Sequence, residues 1–321
     1  MSKTRTAEVL FTPDSEDLRF LPEGPTRLRN GLLAWVAIQH TADQTQGSVC
    51  LLDLASGVNR RIDVPGRPGF LAETDQEGWL VLGLERSLAY LNTETAEVIQ
   101  TELSILPNEH TVINDGIAIP GGLIFGTKDV RFSDTIAHIY FYRQATHEVI
   151  PIQGGQTCSN GKIFQTSEDG SAVLYDIDTP TLKVRKYRFD PESATLSEPE
   201  TILDFEGDGH FPDGMRGTPD GKSTVVAFYN PHDITQGSAR QYNLTTGKLE
   251  AEWVFPQSPR VTCPEFVEMD GSVKLICTTA DEGMSTELRA KNPNAGALFI
   301  ADTDFTQAPL ARPLVCFTLP V

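Results

Sequence analysis

Two aspartates in the segment "HFPDGMRGTPDGK", Asp213 and Asp220, stand in identical Pro-Asp-Gly tripeptides separated by four residues. Pro-Asp-Gly is turn chemistry: Pro presets φ, Asp bonds its own backbone and Gly accepts positive φ. Two tight turns so close together are rarely needed, which leaves one aspartate to account for in another way. Glycine-ended turns recur along the chain as "LRNG", "DQEG", "IPGG", "SEDG", "TPDG" and "EMDG", ending at Gly31, Gly78, Gly122, Gly170, Gly221 and Gly271. Eight residues before each stand Glu23, Phe70, Asn114, Asp213 and Cys263; in the fourth, whose turn is two residues longer, Asn160 holds the place. Four of these six carry side-chain oxygen, as two carboxylates and two amides. Carboxylates brought together repel unless a cation lies between them. Oxygen-only ligation suits a hard divalent ion such as calcium, magnesium or manganese. Asp220 belongs to the recurring turn; Asp213 is in phase with the oxygen donors.

The elements that must position these residues are short strands. Runs such as "GLLAWVAIQH", "GWLVLGL", "GLIFGT", "AVLYDID", "TVVAFYN" and "VKLICTT" are broken by Gly, Asp, Asn and Pro, and long helical periodicity is missing. A second turn class, "LASGVN", "NTETAEV", "RQATHEV", "DPESATL", "LTTGKL" and "DTDFTQ", follows the first by roughly 20–30 residues in each unit. The glycine spacings are 47, 44, 48, 51 and 50 residues. Six units of four antiparallel strands predict an all-β fold, a six-bladed β-propeller, as one domain over residues 1–321. A two-sheet sandwich does not explain six matched turns. Either the N-terminal "AEVLF" or the C-terminal "LVCFTLPV" is available to complete the last blade. In a propeller the innermost strands line a central channel, so residues of one phase converge there.

Composition narrows the function classes. Across 321 residues the formal net charge is −18, which argues against nucleic acid as a partner, and no basic cluster reverses it. Hydrophobic content of 39% with 22% charged residues reads as soluble and globular, with no membrane partner: no apolar run approaches the ~18 residues of a membrane span. The N-terminus lacks the apolar core of a signal peptide, and five widely spaced cysteines include no CxxC, so reduced thiols in a cytoplasm are expected. A closed propeller does not demand oligomerisation; a monomer or weak homo-oligomer is expected.

The segments "EGP", "NDG…GGLIFGT", "CSNGKIFQTSEDGSAVLYDIDTPTLKVRKYRFD" and "FPDGM", in this order, resemble the hallmark segments of the senescence marker protein-30/gluconolactonase family, and the likeness covers roughly residues 20–305. The resemblance implies a six-bladed propeller and metal-dependent hydrolysis of lactones, mostly of sugars. It implies one divalent ion, calcium foremost, with zinc, magnesium, manganese or iron as alternatives. Carried over, the metal ligands are Glu23, Asn160 and Asp213, and Asn114 contacts substrate or a bound water. Asp213 is then also the candidate general base. Phe70 is read as an apolar wall for the ligand and Cys263 as a small wall residue. His210, three residues before Asp213, is a candidate base or substrate contact, with a loop histidine as the plainer reading. Arg216 and Lys128 are candidates to reach a substrate carboxylate. One departure stands out: members that hydrolyse sugar lactones usually carry an Arg two residues before the NDG Asn, and here that residue is Val112. A less polar lactone, another ester, or a sugar held by different residues is then implied. A metal-stabilised propeller that binds a ligand or partner without turnover is the alternative from a different class.

Overall fold

The computed structural model describes residues 2–166 and 171–318. The fold is almost wholly β, a six-bladed β-propeller with four antiparallel strands to a blade. The recurring turns join the first strand of a blade to its second in five cases; the turn at "SEDG", with Asp169 and Gly170, lies outside the described residues. The second turn class joins third strand to fourth at "LASGVN", "NTETAEV", "RQATHEV" and "LTTGKL"; "DPESATL" leads into the two-residue strand Thr195–Leu196, and "DTDFTQ" follows Leu298–Asp302 with no strand of that sheet after it among the described residues, so it is not the hairpin the sequence suggested. Among the described residues no helix is long and apolar enough to cross a membrane.

The chain forms two compact units, the first of residues 2–67 and 205–310, the second of residues 68–204 and 311–318. The first unit holds three blades. Blade 1 is Pro22–Arg27, Leu33–Ala37, Gly47–Leu52 and Asn59–Val64. Blade 5 is Phe211–Gly217, Ser223–Tyr229, Gln236–Asn243 and Leu249–Pro256. Blade 6 takes only three strands from its own stretch of chain, Val261–Met269, Ser272–Thr279 and Leu298–Asp302. Its fourth is the N-terminal Glu8–Phe11, antiparallel to Leu298–Asp302. Of the two candidates for closing the last blade, the N-terminal one does so. Just before it, Lys3–Thr6 runs parallel to Leu249–Pro256 as a fifth strand of blade 5.

The second unit holds blade 2 (Pro68–Glu73, Trp79–Leu84, Ser87–Asn92, Val98–Ser104), blade 3 (Thr111–Ile119, Gly122–Asp129, Ala137–Arg143, Glu148–Gln156) and blade 4. Blade 4 is Ser159–Thr166, Ala172–Asp178, Lys183–Asp190 and Glu200–Asp204, with Thr195–Leu196 as a short extra pairing. Residues 311–318 form no blade strand. Val315 bridges Thr74, and the Phe317 ring packs on Trp79 at 4.7 Å and on Tyr90 at 4.8 Å.

Cores lie between neighbouring blades of a unit. Second strands such as Leu33–Ala37, hydrogen-bonded to a neighbour on each side within their sheet, are buried at every residue. Trp35 and Leu33 pack with Val267 and Ile276 between blades 1 and 6; Trp253 and Phe255 pack with Phe266 and Phe299 between blades 5 and 6. In the second unit Phe70 and Val81 meet Leu123 and Phe125, and Ile117 and Phe141 meet Leu174 and Phe189. Each such side chain contributes roughly 1.5–3 kcal/mol by leaving water. Outer strands such as Val98–Ser104 instead alternate half-buried and exposed residues, and polar side chains on them guard an open sheet edge.

Candidate functional site

All six in-phase residues fall on the first strand of their blade. Each of those strands carries a break in register at or next to the position: after Glu23, at Gly69 before Phe70, at Asn114, after Asn160, at Asp213–Gly214, and at Thr262–Cys263. A β-bulge bends the strand locally and re-aims a side chain that regular pleating would send elsewhere. The repeat phase in the sequence is therefore the phase of a repeated bulge.

In the first unit, the two Pro-Asp-Gly tripeptides separate. Asp220 caps a turn: its Oδ1 accepts from Thr218 Oγ1 at 2.6 Å and from the Lys222 amide at 3.1 Å, and Gly221 has φ +70. Asp213 lies inside a strand and is 9% exposed. Gly214 beside it is required by close approach, since a Cβ there would lie 2.7 Å from Thr262 O and 2.8 Å from the Cys263 Cα. Thr262 Oγ1 donates to Pro22 O at 2.7 Å. The first strands of blades 5, 6 and 1 are laced together by these two contacts, and they carry Asp213, Cys263 and Glu23 on neighbouring strands. Glu23 is half-buried, its Oε2 accepting from the Gly24 amide at 2.9 Å. Cys263 is buried, with Glu265 beyond it paired to Arg216 at 3.4 Å.

In the second unit, Asn114 is buried, and its Nδ2 donates to Ser159 O at 3.1 Å and lies 3.6 Å from Cys158 Sγ. Asn160 is buried too; its Nδ2 donates to Thr179 Oγ1 at 3.4 Å and its Oδ1 accepts from the Gly161 amide at 3.1 Å. In both, the amide N–H end is held by protein acceptors, which fixes which way the carbonyl oxygen is turned. Phe70 differs from the sequence expectation. Its ring is 1% exposed and lies in the core, 5.8 Å from Phe125 and against the backbones of Gly83 and Gly116. The bulge at Gly69 turns it into the packing between blades 2 and 3 rather than toward a ligand.

The remaining sequence candidates are engaged structurally. Asn230 Nδ2 donates to His210 Nδ1 at 2.5 Å, and burial, followed by Arg240, lowers the His210 pKa. Lys128 lies over the Phe132 ring at 5.8 Å, and Val112 is buried, opposite Lys128 in the strand pairing. Two features escaped the sequence. Lys162 and Asp176 form an ion pair at 3.2 Å with both side chains wholly buried, and Ser159 and Gln156 also donate to Asp176. Burial pushes the Asp176 carboxyl up, and Lys162 pulls it partly back. The second is in the first unit. Arg260, 4% exposed, lies with its guanidinium 5.4 Å from the centre of the Tyr229 ring. Burial pushes the Tyr229 hydroxyl well up, Glu282 adds to this, Arg260 pulls it back and Asp213 pushes it up again. The Tyr229 hydroxyl donates toward Glu282 at 3.3 Å.

Among the described residues no group of three or more His, Cys, Asp and Glu side chains is gathered to hold a metal. The side-chain donors at this phase are carboxylate and amide oxygens, and an all-oxygen set fits a hard ion.

Residues 21–281 match the family described as SMP-30/Gluconolactonase/LRE-like region. L-arabinolactonase of Azospirillum brasilense is 26% identical over 251 residues, 78% of this chain and 79% of the relative. Regucalcin of Danio rerio is 30% identical over 200 residues, 62% of this chain and 63% of its own length. Among solved structures, the calcium-binding protein regucalcin of Agrobacterium tumefaciens str. C58 is similar with a TM-score of 0.80 at 22% identity, covering 99% of this chain and 100% of that one.

Proposed function

Because the chain belongs to the SMP-30/gluconolactonase/LRE-like family, we propose that it is a hydrolase that opens a lactone ring, with Glu23, Asn160 and Asp213 supplying oxygen to one divalent ion, calcium foremost. The observation that carries this reading is the repeated bulge: it sets two carboxylates and two amides at one phase of the first strands, in a chain similar to a named lactonase. An ion bound there supplies Lewis acidity toward the ester carbonyl and makes water more acidic. The chain's own residues do the rest. One Asp213 oxygen takes a proton from the attacking water, whose oxygen bonds to the carbonyl carbon. The ring C–O bond then breaks, and the proton passes from Asp213 to the departing ring oxygen, giving a hydroxy acid. Asn114, held through its Nδ2, offers Oδ1 to a substrate hydroxyl or to water. Burial of Asp213 keeps competing solvent away from this proton. Cys263 is a wall beside it, and His210 is a loop residue near the same strand.

The test is a panel of aldonolactones and simpler γ- and δ-lactones. Acid release that a chelator abolishes and a divalent ion restores is the expected outcome. Stoichiometric bound metal without turnover on any lactone or ester would leave a non-catalytic binding propeller.

A further inference from the structure

A buried charge needs a partner. Moving a guanidinium out of water costs several kcal/mol even after relaxation, and structures offset this with an acid or a full set of hydrogen bonds. Arg260 has neither. Its Nε and Nη1 are buried and have no hydrogen-bond partner among the described residues, and it makes no ion pair there. Its guanidinium lies against the Tyr229 ring, and a Cβ on Gly283 would meet Nη1 at 3.7 Å. A face-on cation–π contact is worth about 0.5–2 kcal/mol and does not close that gap.

The location is specific. Arg260 directly precedes the first strand of blade 6 and bridges Tyr229, which pairs with Phe211 at the start of the strand that carries Asp213. Arg260 and Asp213 thus sit at the same end of adjoining blades, and the Tyr229 hydroxyl is within electrostatic reach of both.

We infer that Arg260 is the substrate anchor of this enzyme, and that the lactone it holds carries a carboxylate apart from its ring ester. Two guanidinium N–H groups at a fixed spacing match a carboxylate, with one charge-assisted hydrogen bond to each oxygen. The net charge of −18 does not forbid an anionic ligand, because surface charges are screened beyond about 8–10 Å while a buried guanidinium is not. This inference rests on the lactonase reading for its chemistry and extends it to the substrate class.

The experiment compares the lactone of an aldaric acid, which keeps a free carboxylate, with the lactone of the matching aldonic acid, which does not. Wild-type protein is expected to favour the acidic lactone. Arg260→Gln should raise KM for the acidic lactone about 10- to 100-fold, the range of a charged hydrogen bond, and leave the neutral one nearly unchanged. Arg260→Lys should recover part of the loss. The Tm of ligand-free protein separates an anchor from a structural residue: Arg260→Gln should hold or raise it, since a costly unpaired charge is removed. Equal loss on both lactones, or a fall in ligand-free Tm with no change in KM ratio, overturns the inference while leaving lactone hydrolysis standing. Binding of the ring-opened aldarate, measured by calorimetry, needs no turnover. Arg260-dependent aldarate binding without hydrolysis of any lactone keeps the anchor and overturns the lactonase reading.

Discussion

Asp213→Ala and Asp220→Ala change the same side chain in the same tripeptide, and they should behave oppositely. The first removes a buried strand carboxylate and should lose bound divalent ion and at least about 100-fold in activity, a general base alone being worth roughly 10²–10⁴. The second removes a turn cap and should cost about 1 kcal/mol, with metal content unchanged. Metal analysis and a melting curve on the two purified variants decide it. The distinction was legible in the sequence through phase alone, because one residue is in register with Glu23, Asn114 and Asn160 and the other with Asn30 and Asp270. Phe70 was less legible for the same reason: phase gives the position on a strand but not which way a bulge turns the side chain. Arg260 was not legible as an anchor, since what marks it is a guanidinium unpaired among the described residues, and partners come from distant chain. The Lys162–Asp176 pair was hidden likewise, two polar residues in strands whose neighbours are apolar.

At the scale of elements, the laced first strands predict sensitivity to a single methyl. Gly214→Ala should destabilise by about 1–3 kcal/mol, because its Cβ meets backbone atoms rather than a movable side-chain end. Urea midpoints measure it. The buried pair between strands of blade 4 should show strong coupling. Asp176→Leu alone leaves Lys162 charged and unpaired and should cost roughly 3–5 kcal/mol, while Lys162→Met with Asp176→Leu should recover most of it. A double-mutant cycle showing additive losses would contradict this. In blade 1, buried His40 meets Ser48 Oγ at 2.7 Å, and Ser48 donates to Asp63 at 2.7 Å. Burial, and then Arg61, lowers the His40 pKa below 6.5. The unfolded chain therefore takes up this proton first, so the contribution of His40 is whole above pH 6.5 and is lost as pH falls below it. His40→Gln should flatten stability against pH in that window. The repeat of turns and strands that made six blades legible is local, which is why the blade count survived intact.

At the scale of the molecule, the N-terminal strands are the part that local pattern could not place. "AEVLF" reads as a strand, but its partner, Leu298–Asp302, is almost the whole chain away, and the parallel strand Lys3–Thr6 on blade 5 had no signal at all. Removing residues 2–11 should uncover the outer edges of two blades. Limited proteolysis should then cut within 249–256 and 298–302, and Tm should fall at roughly 2–4 °C per kcal/mol lost. This strand exchange also imposes an order in time. Residues 3–11 leave the ribosome well before the strands that receive them, Leu249–Pro256 and Leu298–Asp302. At about 5–20 residues per second the earliest segment waits roughly ten seconds to a minute for its place. The blades built from 68–204 are continuous in the chain, apart from the C-terminal segment, and can form during that wait. A stretch made before its partners is seated only after them, and until then its open edge is exposed to every other nascent strand in reach.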